Sequence, residues 1–275
     1  MTAERRTRVV LCGCDGLFSG LALAQLVTHP GIEIVGVVRS TRILRTRYGL
    51  LRGAWHQIRR SGLAYTAYLW SATTCAELLT PCALGRLIRR YGIPILATRD
   101  INTAAALAFV RGCGPDVLVS AFFNQRIGPA VLAVPRILAL NVHPSLLPAF
   151  RGVDPVFFAR LRGAQDFGVT LHILDAEFDT GDILLQAALA APATDSVLRT
   201  TARLFSLGGR LLAPLIAKPE ELLLRHAQSE PGSYDSWPTP QQVRSLHHRG
   251  KSLLRAADLG WARRTSHLCP ARVAA

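Results

Sequence analysis

The sequence predicts an α/β fold, a Rossmann-like and mostly parallel sheet with helices on both faces, followed by a short C-terminal appendage. Three observations carry the prediction. Apolar runs of strand length recur along the chain, RVVLC, IEIVGVV, GIPILA, PDVLVSAFF and ILALNVH, and such uninterrupted runs suit strands buried on both faces. Segments with helical apolar spacing, LFSGLALAQLVTH and TAAALAFVRG among them, separate the runs, which is the alternation of a parallel sheet. The chain has 275 residues, 49% of them hydrophobic, enough to bury a full core.

Taken in order, RVVLCGCDG opens as a buried strand entering a glycine turn, LFSGLALAQLVTH follows as a helix, and IEIVGVVRS is the second strand of a βαβ start. After ILALNVH, the runs FGVTLHILDAEF and GDILLQAALA read as two more strands, and DSVLRTTARLFSLGGRLLAPLIA as a long helix. The main domain is therefore expected over residues 1–218, with residues 219–275 as a small extension packed on it. In that extension EELLLRHAQ reads as a strand, GSYDSWP as a turn-rich linker, and Thr239 as the cap of a helix with Pro240 in its first turn.

Residues 39–80 interrupt this pattern as a basic, aromatic helical insertion. Seven arginines and no acidic residue lie from Arg39 to Arg60, with Tyr48 and Trp55 among them. The stretch LAYTAYLWSATTCAELL is too short and too interrupted to span a membrane, and reads as a buried or interfacial helix. A solvated helical cover, a phosphate-binding patch for RNA and a helix lying on an anionic membrane through residues 42–80 all fit the composition.

A formal charge of +14 suits a polyanionic partner or an anionic surface, although arginine-rich composition has other origins. The six cysteines have no regular spacing and the first residues, MTAERRTRVV, hold no apolar leader, so the expectation is small buried thiols and a cytoplasmic protein, with the inner face of the membrane as a peripheral alternative. No paired Cys-x-x-Cys or histidine knuckle completes a tetrahedral set, so no metal is expected. Gly13, Gly16 and Gly20 have the spacing GCDGLFSG and not GxGxxG, which favours a tight turn and close helix packing over dinucleotide binding.

The chemistry concentrates in two places. In LALNVHPSLLPAFRG, Asn141 and His143 alternate with Leu140 and Val142, so an extended backbone projects both polar side chains from one face at the carboxyl end of a strand. In DAEFDTGDI, Asp175, Glu177, Asp179 and Asp182 crowd one loop, where a carboxylate can orient His143 and favour its protonated form.

NVHPSLLPAFRG followed by FGVTLHILDAEFDTGDILLQ resembles the 10-formyltetrahydrofolate-dependent formyltransferases, a family that includes methionyl-tRNA, glycinamide ribonucleotide and amino-sugar formyltransferases. The resemblance is dense from about Asp116 to Gln186 and weaker over residues 8–38. It implies Asn141, His143 and Asp179 as the catalytic set and 10-formyltetrahydrofolate as cosubstrate. It also implies a folate pocket from Phe123, Asn124, Gln125, Arg126 and Ile127, from Ser145, Leu146, Leu147 and Pro148, and from Leu174 and Asp175. Arg151, Gly152, Cys14 and Asp15 are expected on the acceptor side. The chemistry is consistent: attack of a neutral amine on the formyl carbon creates an oxyanion, for which the Asn141 amide and a protonated His143 are donors, while Asp179 keeps His143 charged and takes the proton shed by nitrogen.

The departures bear on the acceptor. The Gly-Ser/Thr-Asn phosphate loop of the glycinamide ribonucleotide branch is absent from CGCDGLFSG, and the extension is short beside the C-terminal barrel of the tRNA enzymes. A small or lipid-linked amine, such as an amino sugar or amino acid, is therefore preferred, with initiator tRNA as the alternative acceptor and a non-catalytic folate-binding or regulatory module as the alternative of another class.

Overall fold

Strand β1 (Thr7–Cys14) is buried along nearly its whole length, and its side chains alternate between two cores: Val9 and Leu11 enter the larger, Val10 and Cys12 the smaller. That division explains why TRVVLCGC shows no polar alternation. The computed structural model describes residues 5–42, 49–175, 177–218, 224–228, 232 and 234–264. Strands β2 (Ile32–Ser40), β3 (Ile95–Thr98), β4 (Val117–Ala121) and β5 (Leu138–His143) join β1 in parallel, β6 (Arg151–Gly152) stands apart, and β7 (Phe167–Ile173) and β8 (Ile183–Leu189) add an antiparallel edge. The seven-stranded order is β3-β2-β1-β4-β5-β7-β8. The predicted mostly parallel sheet is thus present.

On one face lie α1 (Leu17–Leu26) and, packed against it, α9 (Val197–Ala217); on the other lie α6 (Ala104–Cys113) and α7 (Pro129–Leu132). The insertion folds as α2 (Leu50–Ser61), α3 (Leu63–Trp70), a π-helical turn (Ser71–Cys75) and α4 (Ala76–Leu79), leading into α5 (Leu84–Tyr91). Tyr48 and its neighbours 43–47 lie outside the described residues.

The glycines after β1 do pack closely. A Cβ on Gly16 would meet the Ala72 carbonyl at 2.2 Å, and one on Gly20 the Cys82 carbonyl at 1.9 Å. Glu77 Oε1, the sole acid of residues 39–80, accepts from both Gly16 N and Gly85 N at 2.9 Å. The turn's amide is therefore occupied by the protein's own carboxylate. Cys12, Cys14, Cys75 and Cys113 are free thiols, and burial pushes Cys14 up to about 12, which makes it inert.

After α8 (Pro155–Arg162), which begins at the capping carboxylate of Asp154, the C-terminal extension joins the main body. The predicted turn at 232–238 contains β9 (Tyr234–Asp235), which pairs in parallel with β6. This corrects the linker reading, and the reason is a partner more than 80 residues away that local pattern cannot reveal. Helix α10 (Pro240–His248) has the expected Thr239 cap, and α11 (Ala256–Arg263) follows. Val243, Leu246, Leu253 and Ala262 enter the larger core, so the extension shares the main domain's interior. Of the strand expected in EELLLRHAQ, the described part makes one antiparallel bridge, His226 to Ile183; residues 219–223 and the tail 265–275 lie outside the described residues.

Candidate active site

The carboxyl end of β5 carries Asn141 and His143 on one face, as the alternation requires, and the antiparallel neighbour β7 supplies a third polar residue. Asn141 is in register with His172, and Asn141 Nδ2 lies 3.1 Å from His172 Nε2. His172 Nδ1 lies 2.9 Å from the Ile173 carbonyl. A carbonyl only accepts, so Nδ1 bears the proton and Nε2 takes one N–H of Asn141. Burial, reinforced by the charge of His143, lowers His172 to about 4 and keeps it neutral. The second N–H of the Asn141 amide is left for the cleft. From the sequence, His172 on its strand reads equally as facing this cleft or as a packed core residue; the β5–β7 register decides for the cleft.

His143 is buried between two acceptors. Nδ1 is 3.3 Å from Asp179 Oδ1 and Nε2 is 3.1 Å from the Phe150 carbonyl. Burial pushes His143 down, but the Asp179 charge and the two hydrogen bonds overcome it, and the net shift is upward. Asp179 shows the complementary shift. Burial raises it, but His143, His172 and the Gly152 N–H outweigh burial and hold it at about 2. The pair is thus an imidazolium and a carboxylate. Because both imidazolium N–H groups are engaged, His143 contributes charge, and Asn141 is the donor with a free direction.

The loop that delivers Asp179 is clamped from outside its own sequence. Gly152 N donates to Asp179 Oδ2 at 2.9 Å, while Gln228 Nε2 donates to the Asp179 and Gly181 carbonyls at 3.0 and 2.8 Å. Gln228 in turn accepts from Arg151 at 2.6 Å. Asp179 itself has φ 60°, and Phe122 and Phe150, which border the same site, are also left-handed at 53° and 56°. Non-glycine residues pay strain there, and all three positive φ values among the described non-glycine residues fall at this site.

A cavity of about 310 Å³ opens over Asn141, His143 and Asp179. It is lined by Phe123, Asn124, Gln125, Arg126, Ile127, Leu174 and Asp175, all expected from the sequence, and by Gly152. Tyr65, Tyr68 and Leu69 of α3, Phe205 of α9 and Trp237 line it too, none of which was expected in the site. Ser145, Leu146, Leu147, Pro148, Cys14, Asp15 and Arg151 are not among its lining residues. Ser145 Oγ donates to the Ala149 carbonyl at 2.8 Å and Leu147 N to Thr170 Oγ1 at 3.1 Å, so this loop folds onto the sheet behind the cavity. Asp15 pairs with Arg39 at 3.3 Å. Gln125 lines the cavity yet is a brace, accepting from Ile101 N at 2.8 Å and donating to Ser40 Oγ at 2.8 Å.

His143, His172 and Asp179 are also the one group of His, Cys, Asp and Glu among the described residues with metal-holding geometry, their ligand atoms within 4.8 Å of one another. Those atoms already serve the hydrogen bonds above. An oriented amide, a fixed positive charge and a carboxylate around one cavity can polarise a carbonyl, stabilise the oxyanion formed on attack and relay a proton, with no side-chain nucleophile required.

Fold and cluster together define the class: a doubly wound α/β protein with a group-transfer site at the carboxyl end of a parallel strand. Residues 86–216, a segment that contains Asn141, His143, His172 and Asp179, match the family model described as "Formyl transferase". The resemblance stated from the residues is borne out. The methionyl-tRNA formyltransferase of Roseiflexus sp. strain RS-1 is 36% identical over 137 residues, 50% of this chain and 42% of that protein, so the match spans less than half of the relative. The phosphoribosylglycinamide formyltransferase of Anaplasma phagocytophilum has the same fold, with TM-score 0.54 and 18% identity over 84% of this chain and all of the other (100%). A sugar N-formyltransferase from Shewanella sp. FDAARGOS_354 is similar in fold at TM-score 0.52 and 16% identity, over 84% of this chain and 76% of its own.

Proposed function

We propose that the protein transfers the formyl group of 10-formyltetrahydrofolate to a primary amine of a small or lipid-linked acceptor, such as an amino sugar or amino acid, with Asn141, His143 and Asp179 as the catalytic residues. The observation that carries the proposal is the Asn141 amide, oriented by neutral His172, beside an imidazolium held by Asp179. The folate cosubstrate is read onto the lining residues Phe123 to Ile127, Leu174 and Asp175, and the acceptor onto Tyr65, Tyr68 and Trp237, which line the same cavity.

In this reading the acceptor nitrogen attacks the formyl carbon, and the Asn141 N–H binds the developing oxyanion beside the His143 charge. The new C–N bond forms, the bond to folate N10 breaks, and one proton passes from the acceptor nitrogen to N10. With a carboxylate held at about 2, Asp179 carries that proton only in passing, directly or through water, and its lasting role is to keep His143 charged. The products are a formamide and tetrahydrofolate.

Initiator methionyl-tRNA is the second acceptor reading, favoured by the relatives that match at 36% identity and by the charge of +14. The test is to incubate the protein and formyl-folate with a panel of nucleotide-linked amino sugars, amino acids and methionyl-tRNA, following tetrahydrofolate release and product mass. A small amine gaining one formyl mass supports the proposal. Turnover confined to methionyl-tRNA, falling steeply with salt, selects the tRNA reading, and folate binding without transfer to any amine selects the non-catalytic module.

A further inference from the structure

Helix α2 buries none of its large apolar side chains. Its sequence LLRGAWHQIRRS buries Gly53, Gln57 and Ser61, with Gln57 Nε2 donating to Ser61 Oγ at 3.0 Å, while Leu50, Leu51 and Trp55 are 51%, 86% and 63% exposed. A surface helix ordinarily buries its apolar stripe and shows its polar one. Here Leu51 and Trp55, one turn apart, form a stripe that faces away from the protein. Helix α3 continues the pattern: Leu63 and Trp70 are 69% and 49% exposed, while Tyr65, Tyr68 and Leu69 on its other side are buried against the cavity. Of the twelve large apolar side chains exposed among the described residues, six lie between residues 50 and 78, so the exposure is concentrated in the insertion.

The charge is equally one-sided. Arg52, Arg59 and Arg60 are exposed on α2, Arg60 lying over the Trp237 ring at 4.8 Å, and neither α2 nor α3 contains an acidic residue. We propose that α2 and α3 form a docking surface for an anionic lipid bilayer, with Leu51, Trp55, Leu63 and Trp70 entering the interface and the α2 arginines meeting headgroup charge. Tryptophan and leucine beside arginine is the composition that a bilayer surface accepts in both respects. RNA would use the arginines and stack on the tryptophans but gives Leu51 and Leu63 no apolar environment. A second copy of the chain would bring its own arginines against these, on top of a net charge of +14. Because α3 presents one side to the interface and lines the cavity with the other, docking sets the cavity beside the lipid surface, which suits an acceptor amine carried by an amphiphile. The docking does not depend on the proposed formyl transfer; only this consequence for the acceptor does.

The test is flotation of the full chain with vesicles of phosphatidylcholine mixed with phosphatidylglycerol and with phosphatidylcholine alone, for the wild type and for the Leu51→Ser, Trp55→Ser double variant. The wild type should float with the anionic vesicles, more weakly as salt rises, and the double variant should lose binding by about tenfold or more. Both positions are exposed, and a thermal melt by circular dichroism checks that the variant folds. Absence of flotation, or flotation unchanged in the double variant, overturns the proposal. So does a concentration-dependent dimer in light scattering that the double variant abolishes without any lipid binding, since the face then joins two copies. Formyl transfer to a water-soluble acceptor should be unchanged in the double variant, so a failure of docking and a failure of the proposed function are separately visible.

Discussion

Two buried aspartates face the same cavity and are driven in opposite directions. Asp154 caps α8, accepting from Phe157 N at 3.1 Å and from the Tyr65 hydroxyl at 2.8 Å, and meets no cation close enough to matter; burial raises it to about 6. Asp179 feels burial too, but His143 beside it brings it to about 2. Depth is therefore not what distinguishes them. The largest difference is the His143 imidazole at 3.3 Å, with His172 and the Gly152 N–H adding to it, and it separates a carboxyl that holds a helix in place from a carboxylate that stores charge for chemistry.

The strongest way to break this contrast is Asp179→Asn. Without the carboxylate, the hydrogen bond to the Phe150 carbonyl alone opposes burial and the Arg151 charge, so His143 moves down and the site loses positive charge at neutral pH. Turnover should fall by about 10²–10³. A pH profile adds the sign. Where the wild type needs charged His143, its rate declines as pH rises through the raised His143 value, and Asp179, ionised down to about 2, contributes no acid limb in the working range. In the variant the decline should move to lower pH; a profile that stays in place would show that Asp179 does not govern His143.

Asp154→Asn should do the reverse, leaving turnover within a few-fold and changing stability. The folded-state value of Asp154 lies above the ordinary one near 4, so the folded protein holds a proton that the unfolded chain releases, and a stability cost develops as pH rises through the interval from about 4 to about 6. Asparagine keeps an acceptor for the helix cap and removes that cost. The variant should gain of the order of 1–3 kcal/mol relative to wild type between pH 4 and pH 8, read as the difference in denaturant midpoints. No pH dependence in the difference would mean that Asp154 is not held above its usual range.

A smaller effect is expected at His172. Replacing it with glutamine leaves Asn141 a partner of poorer fit, and about a tenfold loss in kcat with cosubstrate affinity preserved would mark a positioning residue. Equal losses in binding and turnover would mark a packing role. Chelator-treated protein should retain its activity; loss of activity with recovery on adding one metal would assign His143, His172 and Asp179 to an ion instead.

The parts legible in the sequence are those governed by local pattern. Apolar runs without alternation report strands covered on both faces, and the Asn141-x-His143 spacing places two side chains on one face of β5 whatever surrounds them. What remained hidden depends on distant pairing. His172 orients Asn141 because β7 meets β5 in one register, Gln228 grips the Asp179 loop from 49 residues away, and Glu77 fills the glycine turn from 61 residues away. Residues Ser145 to Pro148 illustrate the converse: their position in the string is that of a site loop, while their hydrogen bonds turn them onto the sheet. In residues 39–80 the basic and aromatic composition was readable, but not that α2 would bury Gly53, Gln57 and Ser61 and leave Leu51 and Trp55 outside.

The central assignment is tested most directly with cosubstrate carrying a ¹³C-labelled formyl group, followed by NMR as the label leaves folate, for the wild type and for Asn141→Ala. The wild type should deliver the label to an amine nitrogen, while the variant binds the cosubstrate with similar affinity and transfers at least about 10²-fold more slowly. Transfer by Asn141→Ala at the wild-type rate, or no movement of label to any amine by the wild type, would contradict it.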